Sequence, residues 1–160
     1  MHRLINNIPD IPGVYLLIIR VEKLVKIRVR SGRVFVLEPG MYVYIGSARG
    51  FGGIRGRVKR YLVGVGNRFW HIDYLITQPG VKLAGIYYMA INKTTIDYES
   101  LIASVFREKL YGVKGFGCSD KSHDYSHLYM CGDTLNNCIE KLSRLLPRGF
   151  KLLLLKPNCL

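Results

Sequence analysis

Apolar and polar positions along this chain follow two periods, and the switches between them divide it into strands and helices. The apolar stretch after Pro12 opens a strand, Gly13 to Val21. Leu24-Val25-Lys26-Ile27-Arg28-Val29-Arg30 alternates apolar with basic, the period of a half-buried strand, and Ser31-Gly32 makes a turn. Arg33 to Glu38 and Met41 to Gly46 form the next pair, joined at Pro39-Gly40. These four segments predict an antiparallel meander.

The period then changes. Ile54, Val58, Tyr61 and Leu62 share one face of a helix, with Arg57 about 70° from its centre, on the edge it shares with Tyr61. Gly64, Gly66 and Asn67 mark a loop, Arg68 to Ile76 a short helix, and Gln78-Pro79-Gly80 its end. Val81 to Ile91 is apolar enough to predict a strand buried on both faces, in the middle of the sheet. A helix is expected from Thr94, its cap, with Asp97 as acidic partner; Tyr98, Leu101, Ile102, Val105, Phe106 and Leu110 form its stripe. Glu99 falls about 80° from that stripe. Beyond Gly112, Phe116–Cys118 and His127–Cys131 read as short strands, Thr134–Leu146 as a helix and Phe150–Leu155 as a final buried strand.

Composition narrows the partners. At 160 residues the chain predicts a single domain, 1–160, without internal repeats. Twenty-four Lys and Arg against eleven Asp and Glu give a formal charge of +13, while 49% of residues remain hydrophobic. A folded body with a positive face fits a polyanion, DNA or RNA, and the spread of basic residues over folded segments favours nucleic acid over a membrane surface. No run of signal length opens the chain, and Leu152 to Leu155 is far short of the roughly 20 residues of a membrane span, so a cytoplasmic protein is expected. Cys118, Cys131, Cys138 and Cys159 show no C-x-x-C pair and are expected as free thiols. Gly50, Gly52 and Gly53 are expected to leave backbone N–H groups open to a phosphate.

Gly13-Val14-Tyr15, Tyr44-Ile45-Gly46 and the following Arg57 resemble the GIY-YIG nuclease family. Further blocks, Ser47 to Gly50, Gly52-Gly53, Trp70-His71-Ile72-Asp73-Tyr74-Leu75, and Phe116-Gly117 followed by Ser119-Asp120, resemble its branch of prokaryotic proteins labelled endonuclease III-related. The resemblance covers about 12–129, leaving 130–160 as an extension packed on the same domain. It implies an α/β (α+β) fold, GIY-YIG-like, with a small, mostly antiparallel sheet flanked by helices, and hydrolysis of a DNA phosphodiester in repair or processing. Oligomeric state is left open.

Residue by residue, the resemblance implies Arg57 as the phosphate clamp, Tyr61 one turn on as its companion, and Glu99 as the ligand of Mg²⁺ or Mn²⁺. A guanidinium suits the first role because it stays charged and bonds two phosphate oxygens at once. Tyr15 and Tyr44 are the signature tyrosines, either of which can act as the base. Gly46, Ser47, Arg49, Arg55, Lys59, Arg60 and His71 are candidate DNA contacts, and His71 with Asp73 equally reads as a buried structural pair. Cys118, His123, His127 and Cys131 are four candidate zinc ligands in one short region, at a spacing that matches no standard knuckle.

Overall fold

The computed structural model describes residues 5–92 and 94–155. In chain order its elements are β1 (Gly13–Val21), β2 (Val25–Arg28), β3 (Val34–Leu37), β4 (Gly40–Ala48), α1 (Gly53–Val63), α2 (His71–Ile76), β5 (Val81–Ala90), α3 (Tyr98–Lys109), β6 (Tyr111–Gly112), β7 (Leu128–Gly132), α4 (Leu135–Leu145) and β8 (Lys151–Leu154). Six strands form one sheet in the order β6-β7-β4-β1-β5-β8, every neighbouring pair antiparallel.

Burial explains that order. β1 is apolar on both sides, and successive side chains of a strand point to opposite faces. Tyr15, Leu17 and Ile19 pack with Ile54 and Val58 of α1 and Ile72 and Leu75 of α2. Val14, Leu16 and Ile18 pack with Ile102 and Phe106 of α3 and Leu142 of α4. Helices therefore cover both faces of the sheet, and each large side chain so enclosed contributes about 1.5–3 kcal/mol relative to exposure.

The expected meander is corrected. β1 pairs with β4 over its whole length, from Gly13 opposite Ala48 to Val21 opposite Gly40, while β2 and β3 form a separate two-stranded sheet. The reason lies in their burial patterns: β2 and β3 alternate buried with exposed and need only one covered face, whereas β1 and β4 need two. The hairpin buries Ile27, Phe35 and Leu37 against the α1 and α2 side. β5 is interior, between β1 and β8, but β1 and β4 hold the middle.

Other expectations shift by a few residues or change sign. α3 starts at Tyr98, capped by Asp97, whose Oδ1 accepts from Ser100 N at 3.3 Å; Thr94 Oγ1 accepts from Ile96 N in the turn before it. Its buried face is Glu99, Ile102, Ala103 and Phe106, with Leu101 turned out. Phe116–Cys118 is irregular because Gly117 adopts φ 76°, incompatible with a strand. β8 is an edge strand, largely exposed, pairing with β5 from Gly85 to Tyr88, so the extension completes the sheet. Among the described residues, no helix is long and apolar enough to cross a membrane.

The cysteines also depart from expectation. Cys131 on β7 and Cys138 on α4 form a disulfide, their Cα atoms 4.7 Å apart, and Cys118 is a buried free thiol. A strand, a tight turn and a helix fold back within seven residues and bring the two sulfurs together, a proximity that no local cysteine motif announces. Cys159 lies outside the described residues.

Candidate active site

Register puts the two tyrosine motifs face to face. Tyr15 lies directly opposite Gly46, and any side chain at Gly46 would collide with the Tyr15 ring and hydroxyl. Glycine is therefore required there for close approach and not for its dihedral freedom. Tyr15 OH and Tyr61 OH of α1 lie 3.2 Å apart, either one able to donate. Tyr44, two residues back on β4, stacks edge-on against Phe116, centroids 6.3 Å apart. Gly117 next to it has φ 76°, and a Cβ there would press on Tyr44 and His127. Burial pushes the Tyr15 and Tyr44 phenols well above their ordinary pKa, with neighbouring Tyr61 adding to the effect at both, so both hold their protons at neutral pH.

Arg57 sits where the helix pattern places it, at the edge of α1's buried face, with its guanidinium carbon 5.5 Å from the centre of the Trp70 ring. Trp70 is fixed from below. Asp73, fully buried, accepts from Phe69 N at 2.8 Å, Trp70 N at 2.9 Å and Arg60 Nη2 at 2.6 Å, all through Oδ2. Arg60 also donates Nε to Asp73 Oδ1 at 3.3 Å. Arg60 is thus a structural clamp on Asp73, a role that the sequence reading, which gave it only as a candidate DNA contact, did not contain. His71 and Asp73 do not pair with each other: His71 Nδ1 accepts from Gly117 N at 3.0 Å, fixing the loop beside Tyr44. His71 also packs on Phe35 and Phe116, and burial, helped by the charge of Arg33, lowers its pKa.

Glu99 reaches the same place from the helix on the other face. Ser47 Oγ, at the end of β4, donates to Glu99 Oε2 at 3.1 Å, and Lys121 Nζ donates to the same oxygen at 2.6 Å. Lys121 also bonds both oxygens of Asp97, at 2.9 and 2.7 Å. Burial opposes the charge on Lys121, but its bonds to Asp97 and Glu99 outweigh it and raise its pKa. On the far side, His127 Nδ1 faces Glu99 Oε1 at 3.5 Å without a hydrogen bond, and His127 Nε2 meets Asp124 Oδ2 at 2.8 Å.

Tyr15, Tyr44, Gly46, Ser47, Arg57, Tyr61 and Glu99 all line one polar cavity of about 70 Å³, together with Trp70, Gly117 and Asp120. Five side chains from four separate stretches of the chain, Tyr15, Tyr44, Arg57 with Tyr61, and Glu99, therefore meet. The outer basic residues do not enter it. Arg49 lies 3.5 Å from Asp97, Arg55 donates Nε to Ile8 O at 2.6 Å and ion-pairs Asp10 at 3.4 Å, and Lys59 is exposed. Of the glycine-rich connection, Gly53 is closed to a phosphate, since its N–H donates to Gly50 O; the N–H groups of Ile54, Arg55 and Gly56 behind it donate to the Ile11, Pro9 and Gly52 carbonyls.

The candidate zinc set is corrected as well. Cys131 is consumed by its disulfide, Cys118 is buried and apart, His123 is exposed beside Ser100, and His127 belongs to the Asp124 and Glu99 pairings. Among the described residues, no three His, Cys, Asp or Glu side chains are placed to hold a metal ion together. Trp70 as Arg57's platform and the Lys121 bridge are the roles that sequence reasoning passed over, and Asp120 was quoted only within a motif block, with no role given. The aromatic beside His71 was a signal for the first; Lys121 sits in an irregular loop with no periodicity to place it.

The facing of Tyr15 and Gly46 across two central strands, with Arg57 on the helix that follows, is the arrangement of a GIY-YIG-like domain. The chain belongs to the family described as domain of unknown function DUF123, a GIY-YIG-like family, whose model matches residues 14–147. That match runs through β7 and α4, beyond the last sequence block near Tyr129. No curated protein and no solved structure matches the chain.

Proposed function

We propose that this protein is a DNA endonuclease or nicking enzyme of the endonuclease III-related branch, dependent on Mg²⁺ or Mn²⁺, acting in DNA repair or processing. The observation that carries the reading is the convergence of Arg57, Glu99 and the Tyr15, Tyr44 and Tyr61 hydroxyls on one small polar cavity. In this reading a distortion of the DNA is the natural signal.

In this reading Arg57, held over Trp70, grips two oxygens of the scissile phosphate and offsets the charge that builds there. The buried phenols keep their protons and act as donors that orient the phosphate and the attacking water. Water adds to phosphorus and gives up a proton to solvent, one P–O ester bond breaks, and the departing oxygen takes a proton from water, leaving a phosphate monoester and a hydroxyl. The phenols serve as donors in place of the base expected of Tyr15 or Tyr44. The donor set fits a hydrated divalent cation: Glu99 and Asp120 both line a cavity with polar walls, and Mg²⁺ takes one or two carboxylates while keeping several waters. Lys121 competes for Glu99 but holds Asp97 through two further bonds, so it can leave the glutamate and stay paired. The bound cation would supply charge neutralisation and a lowered pKa for its water.

The test is turnover on supercoiled plasmid and on flap or branched DNA, with Mg²⁺ or Mn²⁺ and with chelator. Arg57→Ala and Glu99→Gln should each lower nicking at least about a hundredfold, the scale of losing one transition-state donor, with the fold intact. Wild-type cutting by both variants rules the mechanism out. Salt-sensitive binding without product from the unmodified protein returns a binding module in place of an enzyme.

A further inference from the structure

Beside the small polar cavity lies a much larger one, about 730 Å³ against about 70 Å³, and Ser47 and Glu99 form a wall common to both. Its other walls are mainly apolar: Pro12 and Val14 at the start of β1, Ile91 after β5, and Ile96 and Tyr98 at the start of α3. Arg49 stands on its lining, its side chain 70% exposed and 3.5 Å from Asp97. The volume falls in the range of about 300–1,000 Å³ typical of sites for small organic groups, and the mix of flat apolar walls with a few polar groups suits a heterocycle. Two residues beyond Arg49, Phe51 is fully exposed between Gly50 and Gly52.

We infer that the large cavity receives one nucleobase of the nucleic acid, turned out of its stack next to the phosphate held by Arg57, while Phe51 wedges into the gap the base leaves. The inference rests on the phosphodiester reading of the small cavity and names what lies next to that phosphate. The two features complement each other. A base leaving a duplex needs somewhere apolar to go and something to close the stack behind it, and exposed apolar wedges between base steps are a recurrent way of doing the second. Tyr98 offers an aromatic ring and Arg49 a guanidinium at the rim, the two side-chain types on which unstacked bases rest. The cost of extrusion is least for a base that is already unpaired, so the cavity selects distorted DNA without reading its sequence.

The experiment measures affinity, in chelator, for a fluorescein-labelled paired duplex and for the same duplex carrying one unpaired adenine. Base–aromatic stacking corresponds to roughly 5- to 150-fold per base, so the bulged duplex should bind at least fivefold more tightly. Ile96→Trp, at a side chain 49% exposed, fills the cavity and should equalise the two affinities while leaving the paired duplex bound as before. Phe51→Ala should reduce the preference, and a preference it leaves whole removes the wedge. Equal affinities for the wild type, or a bulge preference that survives both Ile96→Trp and a second filling variant, Thr94→Tyr, overturn the inference. Plasmid nicking separates the two readings: an Ile96-dependent bulge preference without any nicking leaves the base cavity standing and removes the nuclease, and nicking without the preference does the reverse.

Discussion

Asp73→Asn isolates the contact on which the Arg57 platform rests. The carboxylate is fully buried and accepts four hydrogen bonds, from Phe69 N, Trp70 N, and Nη2 and Nε of Arg60. An asparagine oxygen in the place of Oδ2 keeps three of them with a neutral acceptor, and its amide then meets Arg60 Nε donor to donor. Bonds to charged groups are worth about 1.5–3 kcal/mol and roughly twice neutral ones, so three weakened bonds and one lost give about 4 kcal/mol. Arg60 is 30% exposed and recovers part of its share from water, which brings the expected loss to about 3 kcal/mol, the lower end for breaking a buried ion pair. For a chain of this length that is about 6–12 °C in Tm. Urea unfolding at unchanged m gives the free energy, and a double-mutant cycle with Arg60→Met gives the coupling. A loss below about 1 kcal/mol, or a coupling near zero, refutes the claim that Asp73 holds this part of the site.

Three further outcomes follow from the same geometry. Lys121→Met removes the ammonium at Glu99 and should lower the Mg²⁺ concentration for half-maximal nicking by about tenfold, since 1.4 kcal/mol is a factor of ten; a higher requirement would mean that the lysine assists the cation. His71 has its pKa lowered in the fold by burial and then by Arg33, so the neutral ring is favoured; its contribution is whole above the ordinary value near 6.5 and fades as pH falls below it, and a Tm profile that His71→Gln does not flatten in that window contradicts this. Opening the Cys131–Cys138 disulfide removes a cross-link between residues seven apart, worth about 2.5 kcal/mol at most on chain-entropy grounds, and Cys131→Ser/Cys138→Ser should lose no more than that in urea unfolding.

What could be read from the sequence is what local periodicity and short motifs fix. Arg57 fell within the helix pattern at the edge of a buried face, and the edge of a buried face is where α1 presents it. Tyr15, Tyr44 and Gly46 were placed by tripeptides whose strand register leaves one geometry: alternation sends Tyr15 and Gly46 to the same side, and only glycine admits the ring opposite. The β2–β3 hairpin defeated the same logic. Its alternation was right, but which strands pair depends on which faces must be covered, and that is decided by helices later in the chain. Asp97 was recognised as a capping group, yet its second role, holding Lys121 against Glu99, depends on a loop more than twenty residues on.

The same division explains where this site can vary. The contact fixed by register, Tyr15 with Gly46, cannot change without moving the central strands, and Ser47 with Glu99 ties the end of β4 to α3. Contacts made by the loop between β6 and β7, Lys121 with Glu99 and Asp124 with His127, can change without cost to the sheet, because Gly115 and Gly117 at positive φ and the His71–Gly117 bond fix the loop's path independently of them. In the proposed function the rigid half of the site defines the reaction, and the loop half sets the charge that Glu99 presents to a cation or phosphate. A substitution at Lys121 should alter cation dependence while Tyr15, Tyr44 and Arg57 keep their places, and a substitution at Gly46 should displace Tyr15 whatever the loop carries.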